Sequence, residues 1–322
     1  MFMMRFDMRA PAIGAPVRDL YAAAIDMAAW ADDKGCVVVG LSEHHCSPDG
    51  YLPSPMTLAA AMAARTTTTR IMIAAALLPF YDPVRLAEDM IVLDHVSGGR
   101  VSYVLGLGYR PEEYAMFGVP WDERAAVVDE KLAVLLRALQ GEPFEHGGRT
   151  IWVTPSTSTP GGPSIAYGGQ SLAAARRAGR FGLDFFAQTN GEHLEQAYRA
   201  ACEAAGNAPG TCMLPDPSEP MTVFVADDVD TAWKELGPHL LHDATSYASW
   251  NDADSRTASL SRSTTVDELR AERGAHRIMS VDEAREHVRT RGILPLHPLC
   301  GGVPPATAWP YLERVVEVLQ GP

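Results

Sequence analysis

The chain contains no uninterrupted apolar run approaching the ~18 residues that a membrane-crossing helix requires. Its first residues, MFMMRFDMRAP, interrupt their apolar character with Arg5, Asp7 and Arg9, so neither a signal peptide nor a membrane span is expected and a cytoplasmic location is. Cysteine is sparse: Cys36, Cys46, Cys202, Cys212 and Cys300 stand singly, an odd number without CxxC spacing. That pattern excludes a disulfide framework and a thiolate zinc site, and implies free thiols in a reducing compartment. Positive charge is also short. Against 40 Asp+Glu there are 27 Lys+Arg, a formal net charge of −13, which repels phosphate backbones and anionic membranes and argues against nucleic acid as a partner.

Apolar residues are plentiful, at 47% of 322, enough to bury a large core. Short β-rich runs alternate with longer stretches of helical period, the signature of βαβ units around a parallel sheet. Strands are predicted at 2–9, 36–42, 70–78, 101–107, 164–168, 184–187, 221–226 and 292–297, with helical segments between them. Eight such units predict an α/β fold, a (β/α)8 TIM barrel, as a single domain over residues 1–322. In the segment 83–96, Leu86, Met90 and Leu93 repeat at helical spacing, Pro83 suits the first turn, and Gly98-Gly99 supplies a left-handed stop. Two insertions break the pattern. Residues 141–162, rich in Gly, Pro, Ser and Thr, predict a hairpin, and the polar residues 236–280 predict a mobile excursion that could serve as a lid.

Barrel chemistry sits where strands end. After the second strand comes Ser42-Glu43-His44-His45. Strand alternation prevents His44 and His45 from facing one cavity together, and the spacing is not that of HExxH, so a metal pair is disfavoured and no metal is expected. A histidine there suits acid–base work or hydrogen bonding to a reacting group. Ala74, Ala75 and Ala76 on the third strand either let a planar ligand approach the backbone or pack inside the barrel. Gly106-Leu107-Gly108-Tyr109 closes the fourth strand; Pro111 stands where a GxGxxG motif needs its third glycine, which disfavours a Rossmann site. The fifth strand leads through Tyr167-Gly168-Gly169-Gln170 to Ser171, a helix cap whose backbone N–H groups suit a phosphate.

These residues, with PVRLAEDMIVLDHVSGGR at 83–100, GLGYRPEEYAMFGV at 106–119 and LHPLCGGVP at 296–304, resemble the bacterial luciferase-like family of flavin-dependent monooxygenases and deazaflavin-dependent oxidoreductases. The resemblance implies a luciferase-like barrel with insertions, in which His44 assists oxygen chemistry and His45 is its neighbour. It implies a non-proline cis peptide at Ala74-Ala75, and a cofactor held by Ala74, Ala75, Gly106, Leu107, Gly108, Tyr109, Tyr167, Gly168, Gly169, Gln170 and Ser171. Leu107 departs from the luciferase pattern, which has a phosphate-binding arginine there; Tyr109, Arg110 or Arg176 could replace it. Glu113 and Arg124 read as a structural ion pair, and Trp233 and Trp309 as packing residues. The implied activity is oxygenation of a small organic substrate by reduced FMN and O2 through a C4a-peroxyflavin, with a separate NAD(P)H-dependent flavin reductase and a homodimeric assembly. The alternatives are hydride transfer with a deazaflavin coenzyme and a non-catalytic flavin-binding partner subunit.

Overall fold

A computed structural model describes residues 1–251, 255 and 257–320. In chain order the first elements are β1 (Phe2–Phe6), α1 (Val17–Ala31), β2 (Cys36–Leu41), α2 (Pro55–Ala63), β3 (Arg70–Leu77), α3 (Pro83–Ser97), β4 (Val101–Gly106), α4 (Pro111–Phe117) and α5 (Arg124–Ala138). There follow β5 (Phe144–His146), β6 (Arg149–Ile151), β7 (Ile165–Gly169), α6 (Leu172–Arg180), β8 (Asp184–Ala187), α7 (Glu192–Ala205) and β9 (Cys212–Met213). The last are β10 (Thr222–Ala226), α8 (Val229–Ser249), α9 (Val266–Glu272), β11 (His276–Ser280), α10 (Val281–Arg291), β12 (Leu294–Leu296) and α11 (Pro305–Gln320). They form two compact units, Met1–Pro53 with Asp216–Pro322, and Ser54–Pro215.

In the first unit the strands run β11, β10, β12, β1, β2, each parallel to its neighbour. Phe2, Met4 and Phe6 lie at every second position of β1 and are fully buried, as strand alternation dictates. Helices α1 and α11 meet edge to face through Trp30 and Trp309, whose rings lie 5.6 Å apart, and Trp233 is buried; the tryptophans of 233 and 309 are packing residues, as expected.

The second unit orders its strands β3, β4, β7, β8, β9, again all parallel. Helix α3 begins on Asp82, whose side chain accepts from the Val84 and Arg85 N–H groups, and ends on Gly98 at φ 63°. Gly99 does more than turn the chain: a Cβ there would lie 2.5 Å from Thr159 Oγ1. Thr159 belongs to the predicted hairpin insertion, which is present as the antiparallel pair β5 and β6. Gly147 and Gly148, at φ 56° and 72°, make its two-residue turn, which requires positive φ at both positions. Asp94 on α3 ties the insertion down, accepting from the Ser158 N–H and hydroxyl and from the Thr159 N–H and hydroxyl at 2.5–2.9 Å. Arg100, just before β4, donates to carbonyls of Ala63, Thr66, Thr69 and Ser97 and so closes the C-terminal ends of α2 and α3.

All eight predicted strands are present, with ends that differ from the prediction by up to three residues. Two parallel strands, β9 and β11, add to them. The predicted excursion 236–280 is largely regular instead: it holds most of α8, then α9 and β11, while residues 252–254 and 256 lie outside the described set. Helix α8 buries Ala232, Trp233, Leu236, Leu240 and Ala244 at helical spacing, but Asp243 and His239 share that face, and Pro238 lies inside the helix on its exposed side. Buried polar groups on the core side concealed the apolar period.

Candidate functional site

In the first unit the strand ends carry a dense charged cluster. Asp7 and Arg9 follow β1, Asp49 follows the SEHH segment, Asp243 lies on α8, and His297 follows β12. Arg9 is 1% exposed and central: Nη1 donates to Asp49 Oδ2 at 2.6 Å, and Nε lies 3.3 Å from Asp243 Oδ1 and 3.6 Å from Asp7 Oδ2. Burial opposes this charge, but Asp7, Asp243, Tyr51 and Asp49 raise the guanidinium pKa above its ordinary value. Burial likewise opposes ionisation of Asp243, yet the His276 hydrogen bond at 2.8 Å and the charges of Arg5, His276 and Arg9 hold it well below the usual carboxylate range. Asp49 is lowered in the same way, against burial, by His242 at 2.8 Å and by Arg9.

Among the described residues, Asp243–His276–Cys300 and Asp7–Asp243–His297 bring possible metal-ligand atoms within 4.8 Å of one another. Both sets use Asp243, which already faces Arg9 at 3.3 Å and Arg5 at 3.4 Å. Two guanidinium groups therefore occupy the electrostatic role a cation would take.

His44 packs against an aromatic wall next to this cluster. Its ring centroid lies 5.0 Å from that of Tyr51 and 4.9 Å from that of Trp250, and Arg9 stacks on the same two rings at 4.8 and 4.4 Å. His45 is placed differently, its Nε2 bonded to the buried Glu43 carboxylate at 2.8 Å. The two histidines thus have different partners, but β2 ends at Leu41, so it is the loop that separates them and not strand alternation. Tyr51, Trp250 and Arg9 carried no motif that sequence reasoning could weigh.

The second unit presents a different surface. The peptide Ala74-Ala75 is cis, and the β3–β4 register shifts there, with Ala74 opposite Val104 and Ala76 opposite Leu105. Gly106 ends β4 against this shift; a Cβ on it would lie 3.0 Å from the Ala75 Cβ. Gly108 turns the chain at φ 78°, and the Leu107 carbonyl accepts from the Tyr114 hydroxyl. Gly168 is required for packing, because a Cβ would lie 2.8 Å from Val104 Cγ1. Tyr167 is fully buried, its hydroxyl 3.4 Å from Arg177 Nη1; burial, against Arg177, pushes its pKa up to about 12. Its side chain belongs to the core, leaving its backbone for any ligand.

Ser171 caps α6 by accepting from the Ala174 N–H at 3.2 Å. Gln170 and Ser171 are exposed, Tyr109 is half-buried, and the remaining first-turn N–H groups of α6 have no intrahelical acceptor by construction. Of the proposed replacements for an arginine at Leu107, Arg110 is buried and paired with Glu113 at 3.3 Å, whereas Arg176 is exposed. The ion pair of Glu113 is thus made with Arg110. Arg124 instead stacks on Trp121 at 3.9 Å and donates to its carbonyl.

The model of the luciferase-like monooxygenase family matches residues 4–290. The chain belongs to that family. Among curated relatives of this family member, 4-hydroxyprotoasukamycin monooxygenase of Streptomyces nodosus subsp. asukaensis is 28% identical over 228 residues, covering 66% of this chain and 61% of that one. The first two curated relatives match over 38% and 37% of their own length, so the chain spans well under two thirds of them. Among solved structures, a monooxygenase from Streptomyces bottropensis superposes with TM-score 0.77 at 24% identity, covering 99% of this chain and 98% of that one. The oxygenating constituent of 3,6-diketocamphane monooxygenase from Pseudomonas putida, solved with FMN, gives TM-score 0.69 at 21% identity, with 99% and 97% covered. At such identities the likeness carries the α/β luciferase-like fold. No helix among the described residues is long and apolar enough to cross a membrane.

Proposed function

We propose that this family member is a flavin-dependent monooxygenase that uses reduced FMN and O2 to oxygenate a small organic substrate. The observation that carries the reading is the run of small, half-buried residues Ala74 and Ala75 at the end of β3, packed so closely on Gly106 that a Cβ there would lie 3.0 Å from the Ala75 Cβ. A planar ring needs such an approach, and the residues fit one. Reduced FMN, when bound, would supply the electron pair: one oxygen atom enters the substrate, the other leaves as water, and the flavin is oxidised. Reducing equivalents must then be restored by a separate NAD(P)H-dependent flavin reductase.

The chain supplies binding, orientation and proton management. Gly168, Gly169, Gln170 and Ser171 lead into the α6 N-terminus, whose backbone N–H groups suit a phosphate. Leu107 adds no charge, so the phosphate relies on backbone donors, Tyr109 and the exposed Arg176. His44 holds or transfers a proton at the reacting atoms, while Tyr51 and Trp250 pack around it and keep bulk water from its ring. His45, fixed by Glu43, positions the segment that carries His44.

The test mixes photoreduced FMN and the protein with aerated buffer. Recovery of oxidised-flavin absorbance should be slower than for free FMN, with hydrogen peroxide released correspondingly later. Recovery at the free-flavin rate, together with tight binding of a deazaflavin coenzyme, rejects the proposal in favour of hydride transfer. His44→Ala should abolish the delay while FMN affinity, read by fluorescence quenching, stays close to that of the parent. A delay untouched by the substitution removes His44 from the chemistry and leaves a flavin-binding partner subunit.

A further inference from the structure

The first unit also holds a cavity of about 310 Å3 at the opposite ends of its strands from His44. His44 follows β2, whereas the cavity is lined by Met221, which precedes β10, and by Ile293, which precedes β12. Met3 and Pro295 complete its apolar wall. Its volume lies at the low end of the range for small-molecule sites.

Arg5, Glu219, His287 and Arg291 also line it, and of these Arg5 is the cation not paired to Glu219. Arg5 reaches in from β1 with its Nη2 donating to Thr222 Oγ1 at 3.1 Å and lying 3.4 Å from Asp243 Oδ2. Those bonds occupy one edge of the guanidinium. The side chain retains 22% exposure, and Nη1 takes part in neither bond. Burial disfavours the charge, but Asp243 and Asp7 more than offset it, so Arg5 remains a cation. Glu219 at the rim is neutralised by Arg291 at 2.7 Å and approached by His287 at 3.5 Å, so it does not repel an incoming anion.

We propose that this cavity is a second ligand site, taking a small amphiphilic monocarboxylate whose carboxylate meets Arg5 Nη1 and whose hydrocarbon body lies against Met3, Met221, Ile293 and Pro295. A single guanidinium edge matches one negative charge. A phosphate dianion would bring a second charge, for which the other lining guanidinium, Arg291, is already taken by Glu219, and an uncharged hydrocarbon would leave Arg5 Nη1 unmet.

Octanoate titrated into the flavin-free protein by calorimetry tests this, so that its outcome is independent of the flavin reading. Saturable binding is expected, with the alcohol of the same chain length about tenfold weaker or more. Met221→Trp fills the cavity and should abolish octanoate binding while leaving FMN affinity unchanged. Arg5→Met should weaken octanoate about tenfold or more, and Arg5→Lys should restore part of the loss. Absence of saturable binding at millimolar octanoate overturns the proposal. So does binding that Met221→Trp leaves intact, and that variant decides alone if Arg5→Met does not fold.

Discussion

The strand ends of the first unit are furnished with charge, and those of the second with the absence of side chains. Around Arg9, three carboxylates and several histidines are packed where water is excluded, each holding another in place. Around Ala75 and Gly106 the side chains are small or missing, and the chain segments approach closely. The contrast teaches that the two regions fail in different ways. Removing one member of a buried ionic cluster leaves its partners uncompensated, whereas adding atoms to a bare backbone surface evicts a ligand and costs the fold less.

The largest effect that would sharpen this contrast is expected from Arg9→Met. It strands Asp7, Asp49 and Asp243 without their shared cation and should cost about 3–5 kcal/mol in urea unfolding. A loss near zero would mean that the cluster is solvated and that the comparison fails. Gly106→Leu should instead cost about 1–3 kcal/mol of stability and weaken FMN binding about tenfold or more. A variant that binds FMN like the parent would break the second half of the comparison.

Acid should separate the regions as well. Asp243 and Asp49 have folded pKa values below their ordinary value, so their contribution is complete above the unfolded value of about 3.9 and is lost as pH falls toward the folded values. Unfolding midpoints measured downward from about pH 5 should therefore fall, and Asp49→Asn should flatten the decline. A profile unchanged by Asp49→Asn would remove Asp49 from the account. The smallest effect belongs to Ser171→Ala. Loss of the α6 cap should cost about 1 kcal/mol, because the hydroxyl serves the Ala174 N–H. A larger loss of FMN affinity than of stability would show the cap acting on the ligand too.

Legibility in the sequence followed the range of the forces involved. The first-turn Pro83 and glycine stop of α3, the hairpin within 141–162 and the small residues of β3 are local requirements, written where they act. The cis peptide at Ala74-Ala75 was anticipated only through family resemblance. Helix α8 was obscured because Asp243 and His239 break its apolar face, and they are buried for partners far away in the chain. The exchange of Arg124 for Arg110 as the partner of Glu113 is subtler: helical spacing brings Arg110 within 3.3 Å, while Trp121 captures Arg124 by stacking.

By itself, then, the sequence determined the alternation of strands and helices, the family, and the glycine, alanine and histidine positions at the strand ends. These rest on periodicity and on backbone conformations that each residue carries alone. Only tertiary structure decided that Arg9 joins Asp7, Asp49 and Asp243, that Tyr51 and Trp250 enclose His44, and that Arg5 enters a cavity. Charges separated by up to 238 positions pair through space, and no local pattern encodes which of them meet.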